Sequence, residues 1–149
     1  MRPGFAGGVC VCVWSVRGFV ESNFAPPTWC STAFFVEPDR VILSGDVVMS
    51  ALPGFGSPSS RLSTWLGSLD RFEALAPVRI VPSHGPMGDA TMIAGYRTFL
   101  TTVQARTVAL KREGKTLEET VAVVQDELQR TYDRNRMAGA IRAAFNEAP

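Results

Sequence analysis

The chain has 149 residues, a length that suits one domain, and 46% of them are hydrophobic, so wholesale disorder is excluded. Fifteen Lys and Arg stand against fourteen Asp and Glu, a net charge of +1. That balance excludes both the basic footprint of a nucleic-acid binder and the acidic excess of a solvated tail.

The opening stretch "MRPGFAGGVCVCVWSV" joins one early positive charge to an apolar run, as a weak signal peptide would. Gly7 and Gly8 dilute the run and no small-x-small cleavage pattern follows. Apolar runs are everywhere too short to span a membrane. The cysteines, Cys10, Cys12 and Cys30, are odd in number and make no disulfide framework. In "VCVCV" a strand would point Cys10 and Cys12 to one face. Reduced, half-buried thiols in a cytoplasmic protein are the expectation, with a thiolate metal pair as the alternative.

"APPTWC" reads as a turn or an extended entry. In "TAFFVEPDRVILSGD" the spacing predicts a strand over 32–36, a turn at "EPDR", and a second strand over 41–43 ending at Ser44-Gly45-Asp46. "VVMSALPGFGSPSSR" is a loop. Its Gly54 and Gly56 lack both the third glycine of a dinucleotide fingerprint and the lysine of a P-loop. A helix is expected from near Ser57, with Pro58 at its first position and Leu62, Trp65, Leu66, Leu69 and Phe72 on one face. "VRIVPSHG" is a short apolar strand ended by Pro82.

Asp89 is placed to cap the next helix. Its stripe is Met92, Ile93, Tyr96, Phe99, Leu100, Val103 and Leu110, and Gly114 stops it. Thr116 and Glu119 form a capping box, with Leu117, Val121, Val124 and Leu128 facing inward. A last amphipathic segment carries Met137, Ile141 and Phe145. The basic residues Arg97, Arg106, Lys111, Arg112 and Lys115 are interspersed with this stripe and read as a solvated helix face.

Chemistry is sparse. His84 is the chain's only histidine. It closes "RIVPSH" as Asp46 closes "VILSGD". Side chains at strand ends converge at a sheet edge, where a carboxylate and an imidazole can share a metal ion. Taken singly, Asp46 also reads as a turn acid and His84 as a residue bonded to its own turn.

From Thr32 to the C-terminus the sequence resembles the second half of a metallo-β-lactamase-fold hydrolase, in the branch that includes glyoxalase II-like proteins. "TAFFVEPDRVILSGDVV" is similar to the strand pair ending in that family's "GD". "WLGSLDRFEAL" is similar to the following helix, and "VRIVPSHGPMGD" to the strand bearing its last histidine. The resemblance implies an α/β fold: the C-terminal sheet half of an αββα sandwich over 32–88, then a helical extension over 89–149. Residues 1–31 form an atypical N-terminal segment.

The resemblance makes Asp46 the carboxylate that bridges two metal ions and His84 a ligand of the second. The cofactor is then zinc or another divalent metal, up to two ions. The chemistry is hydrolysis of an ester, thioester, amide or phosphoester of a small-molecule substrate by metal-bound hydroxide. The family's H-x-H-x-D-H signature is absent, and Pro27 stands where a further histidine is usual in "PTWCST". Cys30 is a candidate soft-metal donor there.

Asp46 and His84 alone are too few for a catalytic zinc site, which takes about three protein ligands. The expectation is an incomplete and inactive hydrolase as this chain alone. Either the coding sequence begins further upstream, or the chain is a degenerate relative that pairs with another copy. The alternative function is a non-catalytic interaction or dimerisation module. A second copy of the chain is the candidate macromolecular partner; no nucleic-acid or membrane partner is expected.

Overall fold

The computed structural model describes residues 10–15, 30–49 and 60–149. The loop with Gly54 and Gly56, the signal-like opening residues and the turn at Pro27 lie outside them. So do the side chains of Cys10, Cys12 and Cys30, and with them any cysteine-based site.

Four strands form one mixed sheet in the order β1-β2-β3-β4: β1 (Cys10–Ser15), β2 (Cys30–Val36), β3 (Val41–Gly45) and β4 (Arg79–Pro82). β1 runs parallel to β2, with Cys10 opposite Cys30. From Cys10 onward the Cys-Val alternation is therefore a strand of the same sheet. β2 pairs antiparallel with β3, and β3 pairs parallel with β4. The β2–β3 turn is the expected "EPDR", anchored where the Arg40 guanidinium donates to the Ala76 carbonyl.

Strand alternation sorts the sheet into two faces. Phe35, Ile42 and Ile80 are cross-strand neighbours and all are buried. They join the helical side chains in a single core cluster. Phe34, Leu43 and Val81 make the adjacent row on the opposite face, where Phe34 is 42% and Leu43 39% exposed. Among the described residues there is one sheet, and the structure is a mixed α/β arrangement rather than a complete αββα sandwich.

Helix α1 (Leu62–Ala74) buries Leu62, Trp65, Leu69 and Phe72 of the expected stripe, with Ser68 added, while Leu66 is only partly buried at the margin of the core. Its start differs from the expectation near Ser57. Arg61 is extended, and the backbone N–H groups of Leu62 and Ser63 donate to the Glu147 carboxylate. Helix starts need acceptors for their free N–H groups. Here the acceptor comes from the far end of the chain, which no local pattern could reveal.

Helix α2 (Thr91–Arg112) buries its predicted stripe from Ile93 to Leu110, with Thr107 added, while Met92 at the head of that stripe is only partly buried. Asp89 accepts from the Thr91 N–H at 2.9 Å, and Gly114, at φ +82°, ends the segment. Helix α3 (Leu117–Leu128) has the full Thr116–Glu119 capping box. Val124 and Thr120 are its buried residues, while Val121 and Leu128 pack at the margin of the core.

Helix α4 (Arg134–Glu147) buries Met137 and Ile141 as expected, and its other buried residues are Ala140, Ala143 and Ala144 rather than Phe145. Lys111 meets Phe145 instead: its ammonium lies 4.9 Å from the ring and donates to the Phe145 carbonyl. α2 and α4 each pack against all three of the other helices and together form the middle of the helical region. Among the described residues no helix is long and apolar enough to cross a membrane.

Candidate metal-binding site

The site lies where β3 and β4 end side by side. Parallel pairing brings their C-terminal ends to one sheet edge, and Gly45 is opposite Pro82 after a bulge at Leu43/Gly45. Bulges re-aim the residue that follows. Gly45 sits at φ +53° and Gly85 at φ +86°, a region that suits residues without a Cβ. These two glycines turn the chain immediately before Asp46 and immediately after His84.

Hydrogen bonds hold both turns. The buried Ser44 hydroxyl donates to the Val48 carbonyl at 2.8 Å, and the Val47 N–H donates to the Ser44 carbonyl. The Trp65 indole N–H of α1 donates to the Val47 carbonyl at 3.0 Å. On the other strand, Ile80 and Gly88 exchange backbone hydrogen bonds, which closes residues 81–87 into a short loop. The Ser83 N–H donates to the Gly45 carbonyl at 3.1 Å, stitching the two turns together.

Asp46 and His84 are thereby brought together, as their strand-end positions suggest. His84 Nε2 lies 3.8 Å from Asp46 Oδ1, and the side chains are 71% and 59% exposed respectively. That separation is too long for a direct hydrogen bond. It is close to what one shared ion requires: ligand atoms about 2.0–2.1 Å from a tetrahedral zinc lie roughly 3.4 Å apart. A small rotation of two exposed side chains closes the difference. Among the described residues no third His, Cys, Asp or Glu completes a metal-binding group. The pair fits two positions of a divalent ion's shell and does not fill it.

Sequence reasoning missed Ser83, whose hydroxyl donates to Asp46 Oδ1. The signal was its place directly before His84, but only strand pairing shows which carboxylate it meets. The Asp46 charge is felt in the core as well. Burial, with Asp46 adding to it, raises the Tyr96 phenol above its ordinary pKa. At the opposite end of β3 a separate open cavity of about 470 Å³ is lined by Phe35, Arg40 and Leu75 among others. It shares no residue with the Asp46–His84 site.

No protein-family model matches the chain, and no curated protein matches it. Among solved structures, the chain is similar to a beta-lactamase domain protein from Burkholderia ambifaria at 27% identity and a TM-score of 0.54. The match covers 76% of this chain and 37% of that one. The chain thus spans well under half the length of this structural neighbour. The likeness supports a fold of the metallo-β-lactamase kind and a hydrolase-like superfamily resemblance.

Proposed function

We propose that this chain is part of a metal-dependent hydrolase of the metallo-β-lactamase superfamily, of the glyoxalase II-like branch, and that Asp46 and His84 give two ligands to its divalent-metal centre. One observation carries this reading. A carboxylate and the chain's sole imidazole meet at 3.8 Å across the ends of neighbouring parallel strands. Donors outside the described residues, from this chain or another, complete the shell.

The chain's own residues have defined tasks. β3 and β4 fix the backbone beneath both donors; the Ser83 hydrogen bonds join the two turns, and those of Ser44 and Trp65 secure the turn that carries Asp46. Exposure of both side chains leaves one side open for a small-molecule ester, thioester, amide or phosphoester. A zinc ion or similar divalent metal would supply Lewis acidity toward the substrate's carbonyl or phosphoryl group. A cytoplasmic setting accords with three cysteines too few and too uneven for a framework.

Zinc titration of the 149-residue chain, read on the ring signals of its single histidine, tests the reading. Saturable binding at His84 is expected, weakened strongly by Asp46→Ala. It should fall well short of the ~10–16 kcal/mol of a complete structural zinc site. Hydrolysis by the chain alone should stay near background. Zinc binding that ignores Asp46→Ala would remove the pair as a site.

A second reading, an interaction or dimerisation module, is favoured by the outer sheet face. Phe34 and Leu43 face each other there with Val81 alongside, and apolar sheet rows are ordinarily covered. We take a second copy of the chain as the partner for this reading. Light scattering of the purified chain separates the outcomes: a dimer supports it, and a strict monomer at high concentration counts against it.

A further inference from the structure

We propose that Ser83 is the positioning residue of this site, holding the Asp46 carboxylate in the orientation that lets it share a divalent ion with His84. The proposal rests on the metal-binding reading of the pair. Asp46 follows a positive-φ glycine, and its side chain is more than half exposed. Without a partner it would sample several rotamers, and each donor held in place costs rotamer entropy.

Ser83 removes that freedom from two directions. Its backbone N–H donates to the Gly45 carbonyl, immediately before Asp46. Its hydroxyl donates to Asp46 Oδ1, the oxygen nearest His84. An ionised carboxylate accepts at about four lone-pair sites, so this hydrogen bond leaves the others open to an ion. Ser83 also precedes His84 directly, so one short segment carries a donor and the group that aims the second. The turn that carries Asp46 is itself secured by the buried Ser44 hydroxyl, which donates to the Val48 carbonyl. Hydrogen bonds to ligating carboxylates typically change metal affinity 10–100-fold.

The test is a zinc titration of the full 149-residue chain, followed on the His84 ring signals, with folding checked by thermal melting. Ser83→Ala is expected to bind zinc at least tenfold more weakly than wild type with little change in melting temperature. Ser83→Thr, which keeps the hydroxyl, should restore binding to within a fewfold. In an Asp46→Ala background, Ser83→Ala should add nothing, because the group it aims is gone. A merely structural serine would weaken both backgrounds alike. If Asp46→Ala weakens zinc binding while Ser83→Ala leaves it within twofold of wild type, the role of Ser83 is overturned and the metal-binding reading stands. If Asp46→Ala has no effect either, both fall together.

Discussion

The helical region and the sheet region solve burial differently. From Thr91 onward, α2, α3 and α4 enclose their apolar residues, and charged groups seal the joins. Arg106 of α2 makes a two-pronged ion pair with Glu127 of α3 at 2.7 Å. Arg97 ties α2 to Asp70 and Glu73 of α1 at 2.8 and 3.0 Å. The sheet buries Ala33, Phe35, Ile42 and Ile80 on one face and leaves Phe34 and Leu43 open on the other. The closed region carries no candidate chemistry, whereas the half-covered sheet carries Asp46, Ser83 and His84 at its edge. Rigidity and reactivity are thus divided, with the helices as the base and the strand ends as the working surface.

Core truncation should separate the two regions most sharply. Phe99 is 1% exposed, with the Tyr132 ring edge-on to it at 4.9 Å. Phe99→Ala should cost about 3–5 kcal/mol of stability, measured by urea unfolding. A cost below ~1 kcal/mol would mean that the helical region is not the closed body described above.

The link between chain ends comes next. Glu147→Ala leaves the first N–H groups of α1 without their carboxylate and should cost about 1–2 kcal/mol. Thr116→Ala, which opens the capping box of α3, should cost about 1 kcal/mol. A larger loss for Thr116 than for Glu147 would reverse the weight given to the long-range cap.

Acid should act on the helical region through its paired carboxyls. The Arg106 hydrogen bond holds Glu127 below its ordinary pKa, and the Thr116 backbone N–H does the same for Glu119. A lowered folded-state pKa contributes stability that is complete above the unfolded value and lost as pH falls through the folded one. Melting temperature should therefore decline as pH drops through and below the ordinary carboxylate range. Glu127→Gln should flatten that decline.

The smallest effect is expected on the open sheet face. Replacing Phe34 and Leu43 together by Thr should change monomer stability by no more than about 0.5 kcal/mol per site. It should abolish any self-association seen by light scattering. A loss like that of Phe99→Ala would show that the outer face is already covered within the monomer.

Much of the helical region was legible in the primary structure because its signals are local. Apolar residues at helical spacing mark α1, α2 and α4, Thr116 and Glu119 lie one turn apart, and Gly114 follows the last turn of α2. Asp46 and His84 were legible as residues at two strand ends. Their 3.8 Å approach was not, because it depends on β3 and β4 pairing in parallel with α1 between them in the chain. Ser83 escaped notice for the same reason, since its partner is close only after that pairing.

The order of residues alone therefore determined which segments could be helix or strand, where several helices begin and end, and that one imidazole and one nearby acid were the chemistry at hand. Those features depend on torsional preference and on neighbours within about a turn of helix. Tertiary structure decided the rest: the Glu147 cap on α1, the Ser83 hydrogen bond to Asp46, and the sheet face that remains open. Each joins atoms far apart along the chain, and such contacts exist only once packing has set the backbone beneath them.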